Sequence, residues 1–168
     1  MEKRFKFLDW DRLSGDQGIQ AKQLIAKNLP KRSYQEIRYV IDSLNPGCKG
    51  HIKAFCALDE GKVFSIIGGE PKFADGENRL ILHFAISPLS KSKKDFVAQT
   101  KKSPIDRLTT LMFHWAANRG CTKIKFGTRL AGNETQAMYA SRADKMRKKL
   151  EKAVESKKRL ARRNVVRK

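Results

Sequence analysis

Few side chains in this sequence can move a proton at neutral pH. His83 lies inside an almost wholly apolar run, Leu80-Ile81-Leu82-His83-Phe84-Ala85-Ile86-Ser87, and Glu70 follows two glycines in Gly68-Gly69-Glu70-Pro71. An imidazole or a cleft carboxylate suits a general base. Each residue also has a plainer reading. His83 alternates with Leu82 and Phe84 as a satisfied core histidine would, and Glu70 fits a turn carboxylate in solvent. Tyr139, in Asn133-Glu134-Thr135-Gln136-Ala137-Met138-Tyr139, carries a phenol able to donate a proton, or it is a core aromatic on a short helix. His114 shares a helix with Trp115 and reads equally as core-facing. There is no Ser-His-Asp order, metal-binding His pair or P-loop to support triad chemistry or nucleotide hydrolysis. Cys48, His51 and Cys56 match no common zinc spacing, so no metal is expected. The three cysteines read as reduced thiols.

The apolar run 80–87 stops at Pro88, as a central strand covered on both faces would. Ligands of mixed α/β proteins collect beyond the carboxyl ends of such strands. Upstream, Phe5, Phe7, Leu8 and Trp10 suggest a first strand, and residues 17–28 a helix with Ile19, Gln23, Leu24 and Lys27 in a loose pattern. A second helix starts at Ser33, with Glu36 as its capping-box partner and Ile37, Val40, Ile41 and Leu44 as its stripe. Residues 51–58 and 62–68 flank Asp59-Glu60-Gly61 as an antiparallel hairpin, and Gly68-Gly69-Glu70-Pro71 is expected to break the second strand. A turn at residues 75–78 leads into the central strand, which pairs with 62–68. Leu89 to Ser103 reads as a long, glycine-free loop carrying Lys91, Lys93, Lys94, Lys101 and Lys102. The next helix is capped by Ser103, with Pro104 at its first position, Asp106 against the positive end of its dipole, and Ile105, Leu108, Leu111, Met112 and Trp115 as the buried face. It ends at Arg119-Gly120, and residues 121–126 alternate as a strand. The order helix then strand predicts a right-handed crossover, hence an α/β fold whose mixed sheet is antiparallel first and parallel at its end.

The charge is uneven. Lys and Arg number 37 against 17 acids for a net +20, and 13 basic but only 3 acidic residues lie between Arg142 and Lys168. The reading is one domain over residues 1–141 followed by a basic C-terminal helix or tail over 142–168. Met146, Leu150, Val154 and Leu160 punctuate that tail, so it forms a basic amphipathic rod or a solubilising appendage. A polyanionic partner, nucleic acid, is expected, because each cation placed on a phosphate releases counterions. The residues expected to meet it are Lys91, Lys93, Lys94, Arg142, Lys145, Arg147, Lys148, Lys149, Lys157, Lys158, Arg159, Arg162 and Arg163. No run of 18 apolar residues and no secretion-signal pattern occurs, so a soluble, cytoplasmic protein without a membrane partner is expected.

Over residues 5–141 the order of elements, the ending Ala85-Ile86-Ser87-Pro88 and the segment from Asn133 through Ala137 to Tyr139 resemble the GCN5-related N-acetyltransferases. The Asn-to-Tyr spacing is one residue longer than the family's commonest form. The resemblance implies acetyl-CoA or another acyl-CoA as cofactor. It places the backbone of Phe84, Ala85 and Ile86 and the side chain of Asn133 on the pantetheine arm. The amides of Ser103, Ile105 and Asp106, with Lys101 and Lys102, would meet the pyrophosphate, and Tyr139 would lie beside the thioester sulfur. One departure stands out: the family's pyrophosphate loop is glycine-rich, and residues 89–103 contain no glycine. Two readings stay open. Either lysines replace backbone amides at the phosphates, or the loop holds nucleic acid and the acyl-CoA site is lost. The expected function is therefore an acyl-CoA-dependent N-acyltransferase. Its target would be an amine of a nucleic acid, a modified base, a charged tRNA or a nucleic-acid-bound protein. The alternative is a non-catalytic nucleic-acid-binding protein on the same scaffold. Phage DNA-modifying proteins that resemble this family, with altered cofactor loops, support a nucleic-acid target by analogy only, and leave phage or nucleoid association open within the cytoplasmic expectation.

Overall fold

A computed structural model describes residues 3–28, 38–39, 41–42, 44, 52–74, 76–126 and 133–166, with side chains of the last helix described from Arg147 to Arg163. Turn chemistry organises the first half of the sheet. Glu60 and Gly61 both take positive φ, 47° and 84°, giving the two-residue turn that suits the twist of paired strands. That turn joins β2 (Lys53–Asp59) to β3 (Lys62–Ala74), and Gly76, at φ 72°, leads into β4 (Glu77–Ile86). β1 (Phe5–Asp9) pairs antiparallel with β2, and β5 (Lys123–Phe126) pairs parallel with β4. The described sheet has the order β1-β2-β3-β4-β5, antiparallel except for its last pair, as the crossover rule predicts.

Each face of the sheet is covered. Ala21 and Ile25 of α1 (Gly15–Asn28), with Leu44, close one face over Ile52, Ala54, Cys56, Leu58, Ile66, Phe84 and Ile86. The other face lies under α2 (Lys91–Thr100), α3 (Pro104–Asn118) and α4 (Asn133–Val166), around Ile67, Leu80, Leu82, Phe96, Leu108, Met112, Phe113 and Leu150.

Several expectations are corrected. The loop expected over 89–103 contains α2. Its N-cap Ser90 accepts from the Lys93 N–H at 3.2 Å, and Phe96 sits edge-on to Phe5 and Phe7 at 5.3 and 5.5 Å. Arg4 ties this helix to the sheet by bonding Asp59 and Asp95, both at 2.8 Å, and Ser92 donates to Asp59 at 2.7 Å. The glycine pair does not break β3, because a bulge lets the strand run on through Pro71. Trp10 falls in a 3₁₀ turn (Trp10–Arg12) after β1. In α1 the buried positions are Ala21 and Ile25; of the expected pattern Leu24 packs against the core, whereas Ile19 is exposed. The second helix lies largely outside the described residues, although Leu44 is buried and residues 38–39 and 41–42 are helical. The segment beginning at Asn133 is the first turn of a 34-residue helix. α3 follows its sequence signals: Ser103 Oγ accepts from the Asp106 N–H at 3.1 Å, Pro104 stands in the first turn, and Ile105, Leu108 and Met112 are buried.

Candidate active site

The site is built where β4 changes its neighbours. Opposite β3, Phe84 pairs with Gly68 and Leu82 pairs with Gly69, which leaves His83 as the extra residue of a bulge. That insertion flips the alternation of the strand. Leu80 and Leu82 point toward α3, while Phe84 and Ile86 point toward α1. Glycine is required at position 68, because a Cβ there would lie 2.3 Å from Cζ of Phe84. At Gly69 a Cβ would meet Leu80 and Met112, which fixes that residue on the α3 face and turns Glu70 to the α1 face.

The bulge brings His83 and Glu70 together. Nε2 of His83 lies 3.1 Å from Oε1 of Glu70, with side chains 14% and 9% exposed. A carboxylate can only accept, so the imidazole donates Nε2–H and keeps the Nδ1 lone pair for another proton. The two residues singled out as candidate bases thus form one hydrogen-bonded pair. The pair stands at the fork of the sheet. Pairing of β4 with β5 ends at Leu82 and Phe126, and residues 83–86 have no strand partner on that side among the described residues. An unpaired strand edge next to a base is where an extended, amide-bearing arm can add itself as a strand. Phe84, Ala85 and Ile86 supply that edge with their backbone, while their side chains are buried in the two cores. These residues fit the arm of an acyl-CoA.

Of the amides expected at the pyrophosphate, that of Asp106 donates to Ser103 Oγ at 3.1 Å, and the side chain of Ile105 is buried in the core. Lys101 and Lys102 line a groove of about 590 Å³ with Asp106, Arg107, Thr110, Leu111 and Lys149. This groove opens beside α3, on the face of the sheet opposite Glu70. Arg107 and Thr110 were not read as site residues from the sequence. Their only signal was a position three and six residues after Pro104, on the polar side of the helix.

Two lysines expected on a phosphate backbone are engaged inside the protein. Lys93 Nζ donates to the Ser87 carbonyl at 2.7 Å, and Lys157 Nζ donates to the Ala117 and Asn118 carbonyls at 3.1 and 3.2 Å, capping the end of α3. Lys91 and Lys94 are exposed on α2, as are Arg147, Lys148, Lys158, Arg159, Arg162 and Arg163 on α4. His114 is exposed. The side chains of Asn133, Tyr139, Arg142 and Lys145 lie outside the described residues, as do Cys48 and His51. Burial, helped by the nearby Asp9 charge, pushes the Cys56 thiol up to about 12, and burial also raises Cys121, so neither offers a thiolate at neutral pH.

No protein-family model matches the sequence, and no curated protein matches it. Solved structures match through the fold. Aminoglycoside N-acetyltransferase AAC(6')-Iy in complex with CoA is 10% identical with a TM-score of 0.57, covering 86% of this chain and 88% of that one. An aminoglycoside acetyltransferase from an uncultured soil metagenomic sample, in complex with sisomicin, is 13% identical over 83% of this chain and 86% of its own, with a TM-score of 0.52. A Trypanosoma brucei acetyltransferase is 12% identical over 82% and 89%, with a TM-score of 0.50. At these identities the likeness concerns fold: the chain has the GCN5-related N-acetyltransferase fold that the sequence resemblance implied.

Proposed function

We propose that the protein is an acyl-CoA-dependent N-acyltransferase, with acetyl-CoA as donor. The observation that carries this reading is the His83–Glu70 pair at the fork where β4 leaves β5. When bound, acyl-CoA supplies an activated thioester. The chain supplies the rest. Residues 83–86 of β4 offer backbone donors and acceptors that hold an extended arm in register. Glu70, buried at 7% exposure, holds the His83 ring and its tautomer. Nδ1 of His83 takes the proton of the attacking amine, and the neighbouring carboxylate stabilises the imidazolium that results. Tyr139 is proposed as the proton donor to the departing thiolate, and Asn133 as a partner of the arm, on the strength of the family resemblance.

The acceptor amine is proposed to belong to a nucleic acid, a modified base, a charged tRNA or a protein bound to one of these. The net charge of +20 supports such an acceptor, as does its concentration on α4. Two of the relatives in fold are aminoglycoside acetyltransferases; aminoglycosides are themselves cations, and a protein this basic suits a polyanion better. The reading is tested by release of the coenzyme thiol from acetyl-CoA with DNA, RNA, tRNA and small-amine acceptors, comparing the intact protein with His83→Gln. Turnover with at least one acceptor, reduced at least about 100-fold by His83→Gln with the fold retained, is the expected result. Turnover unaffected by that change removes His83 from the mechanism.

A further inference from the structure

The groove beside α3 unites residues that the sequence assigned to two different ligands. Lys101 and Lys102 read as cofactor residues and Lys149 as a nucleic-acid contact, yet all three line one space with Arg107 and Thr110. Among the described lining residues four cations face one carboxylate, Asp106, which lies 3.5 Å from Lys149. The corner that presents the two lysines is held firmly. Lys101 closes α2 with φ 61° and an N–H bond to Val97, and the Lys102 N–H bonds Thr100 Oγ1. Arg107 is placed by its guanidinium, 5.4 Å from the centre of the Phe7 ring.

The charge continues out of the groove along one flank of α4. Leu150 and Ala153 are buried against α3, and this fixes the rotation of the helix. Lys149, Lys152, Ser156, Arg159 and Arg163 then follow at alternating steps of three and four, so they share the flank that carries Lys149 into the groove. That row holds four cations and no acid. Glu151 and Glu155 fall on the other flank, where Glu151 lines a second cleft with Thr122, Lys123 and Arg147. From Lys149 to Arg163 the row is about 21 Å long at 1.5 Å per residue.

We propose that the α2–α3 corner and this flank of α4 form a track for the phosphodiester backbone of a nucleic acid. A row of that length suits anions repeated along a line, whereas a coenzyme's diphosphate and 3′-phosphate span only part of it. A membrane surface requires an apolar helix face directed at lipid, but Leu150, Ala153 and Val154 are spent on the core, and among the described side chains of α4 Leu160 is the one large apolar group left exposed, which makes no face. Residues 147–163 contain no Phe, Tyr or Trp, so the contact is with backbone charge and not with stacked bases. This inference rests on the nucleic-acid part of the proposed function and is independent of acyl transfer.

The test is a salt titration of binding to a labelled DNA duplex and to an RNA of equal length, read by fluorescence anisotropy with the full chain. Arg107→Gln/Lys149→Gln is compared with Lys158→Gln/Arg162→Gln, which removes the same charge from the opposite flank. On duplex DNA the groove pair is expected to weaken binding at least about tenfold and to reduce the slope of log affinity against log salt by about 2, from about 0.9 per lost phosphate contact. The opposite pair is expected to weaken binding less than about threefold. Should Arg107→Gln/Lys149→Gln fail to fold, Lys152→Gln/Arg163→Gln probes the same flank with exposed residues only. Equal effects from both flanks overturn the track while leaving nucleic-acid binding intact. No binding by the intact chain overturns the nucleic-acid reading as well. Loss of acetyl-CoA binding in the groove pair, with nucleic-acid binding retained, assigns the groove to the coenzyme and overturns the track.

Discussion

Gly68→Ala tests the geometry that brings the candidate base and its orienter together. An added Cβ would lie 2.3, 2.5 and 2.9 Å from three ring atoms of Phe84. That ring is 1% exposed and packed among Ile66, Ile86 and Cys56, so it has no solvent into which to retreat. Overpacking of a close-packed core costs about 1–3 kcal/mol. In a chain of this size that corresponds to a fall in Tm of roughly 2–12 °C. Thermal unfolding followed by circular dichroism provides the assay, with two companion variants. Gly18→Ala, where no atom lies within 4 Å of the new Cβ, is expected to raise stability by about 0.5–1 kcal/mol, because alanine is the better helix former. Gly68→Ala/Phe84→Leu is expected to lose less than the sum of its single changes, since the smaller side chain makes room. Gly68→Ala as stable as the parent refutes the close approach of Phe84, and with it the bulge that places His83.

Three further outcomes follow from particular contacts. Long-range proton–nitrogen NMR of the neutral His83 ring is expected to show the proton on Nε2, with that preference lost in Glu70→Gln; a proton on Nδ1 in the parent protein contradicts the orienter role. Hydrogen bonding from Arg4, helped by Ser92 and opposed by partial burial, holds the Asp59 carboxyl below its usual range. Its contribution is therefore present above the ordinary carboxylate pKa and lost as pH falls through the lower folded value. Asp59→Asn is expected to lower stability at neutral pH and to flatten the acid limb of the stability curve by at most about one proton; an unchanged acid limb removes the Arg4 link. Lys157→Ala is expected to cost about 0.5–1.5 kcal/mol in chemical denaturation through loss of the α3 cap, and an unchanged midpoint shows that the cap contributes nothing.

Local signals made much of this fold legible. The Asp59-Glu60-Gly61 turn, the Ser103-Pro104 helix start and the apolar run ending at Pro88 each state a structural element through backbone preference alone, and each lies where the sequence predicts it. What was hidden depends on tertiary contact. Gly68-Gly69 reads as a breaker unless a ring from the next strand is known to need the space. Lys-rich 91–100 reads as a loop unless Phe96 is known to meet Phe5 and Phe7. At the site, His83 and Glu70 were each visible as a candidate. Their pairing was not, because it requires the register of β3 against β4 and the one-residue slip within it. The same limit explains the cationic residues: composition raises the expectation of a polyanion partner but does not reveal that Lys157 caps a helix while Lys149 lines a groove.

The most direct test of the proposed chemistry is calorimetric titration of the intact protein with acetyl-CoA at moderate salt, beside coenzyme A, ATP and inorganic tripolyphosphate. The edge of β4 beyond Leu82, unpaired among the described residues, predicts selective binding, with acetyl-CoA and coenzyme A well ahead of the two polyphosphates at one molecule per chain. Equal, weak and salt-sensitive binding of all four contradicts an acyl-CoA site and leaves a basic, nucleic-acid-binding protein on an acetyltransferase fold.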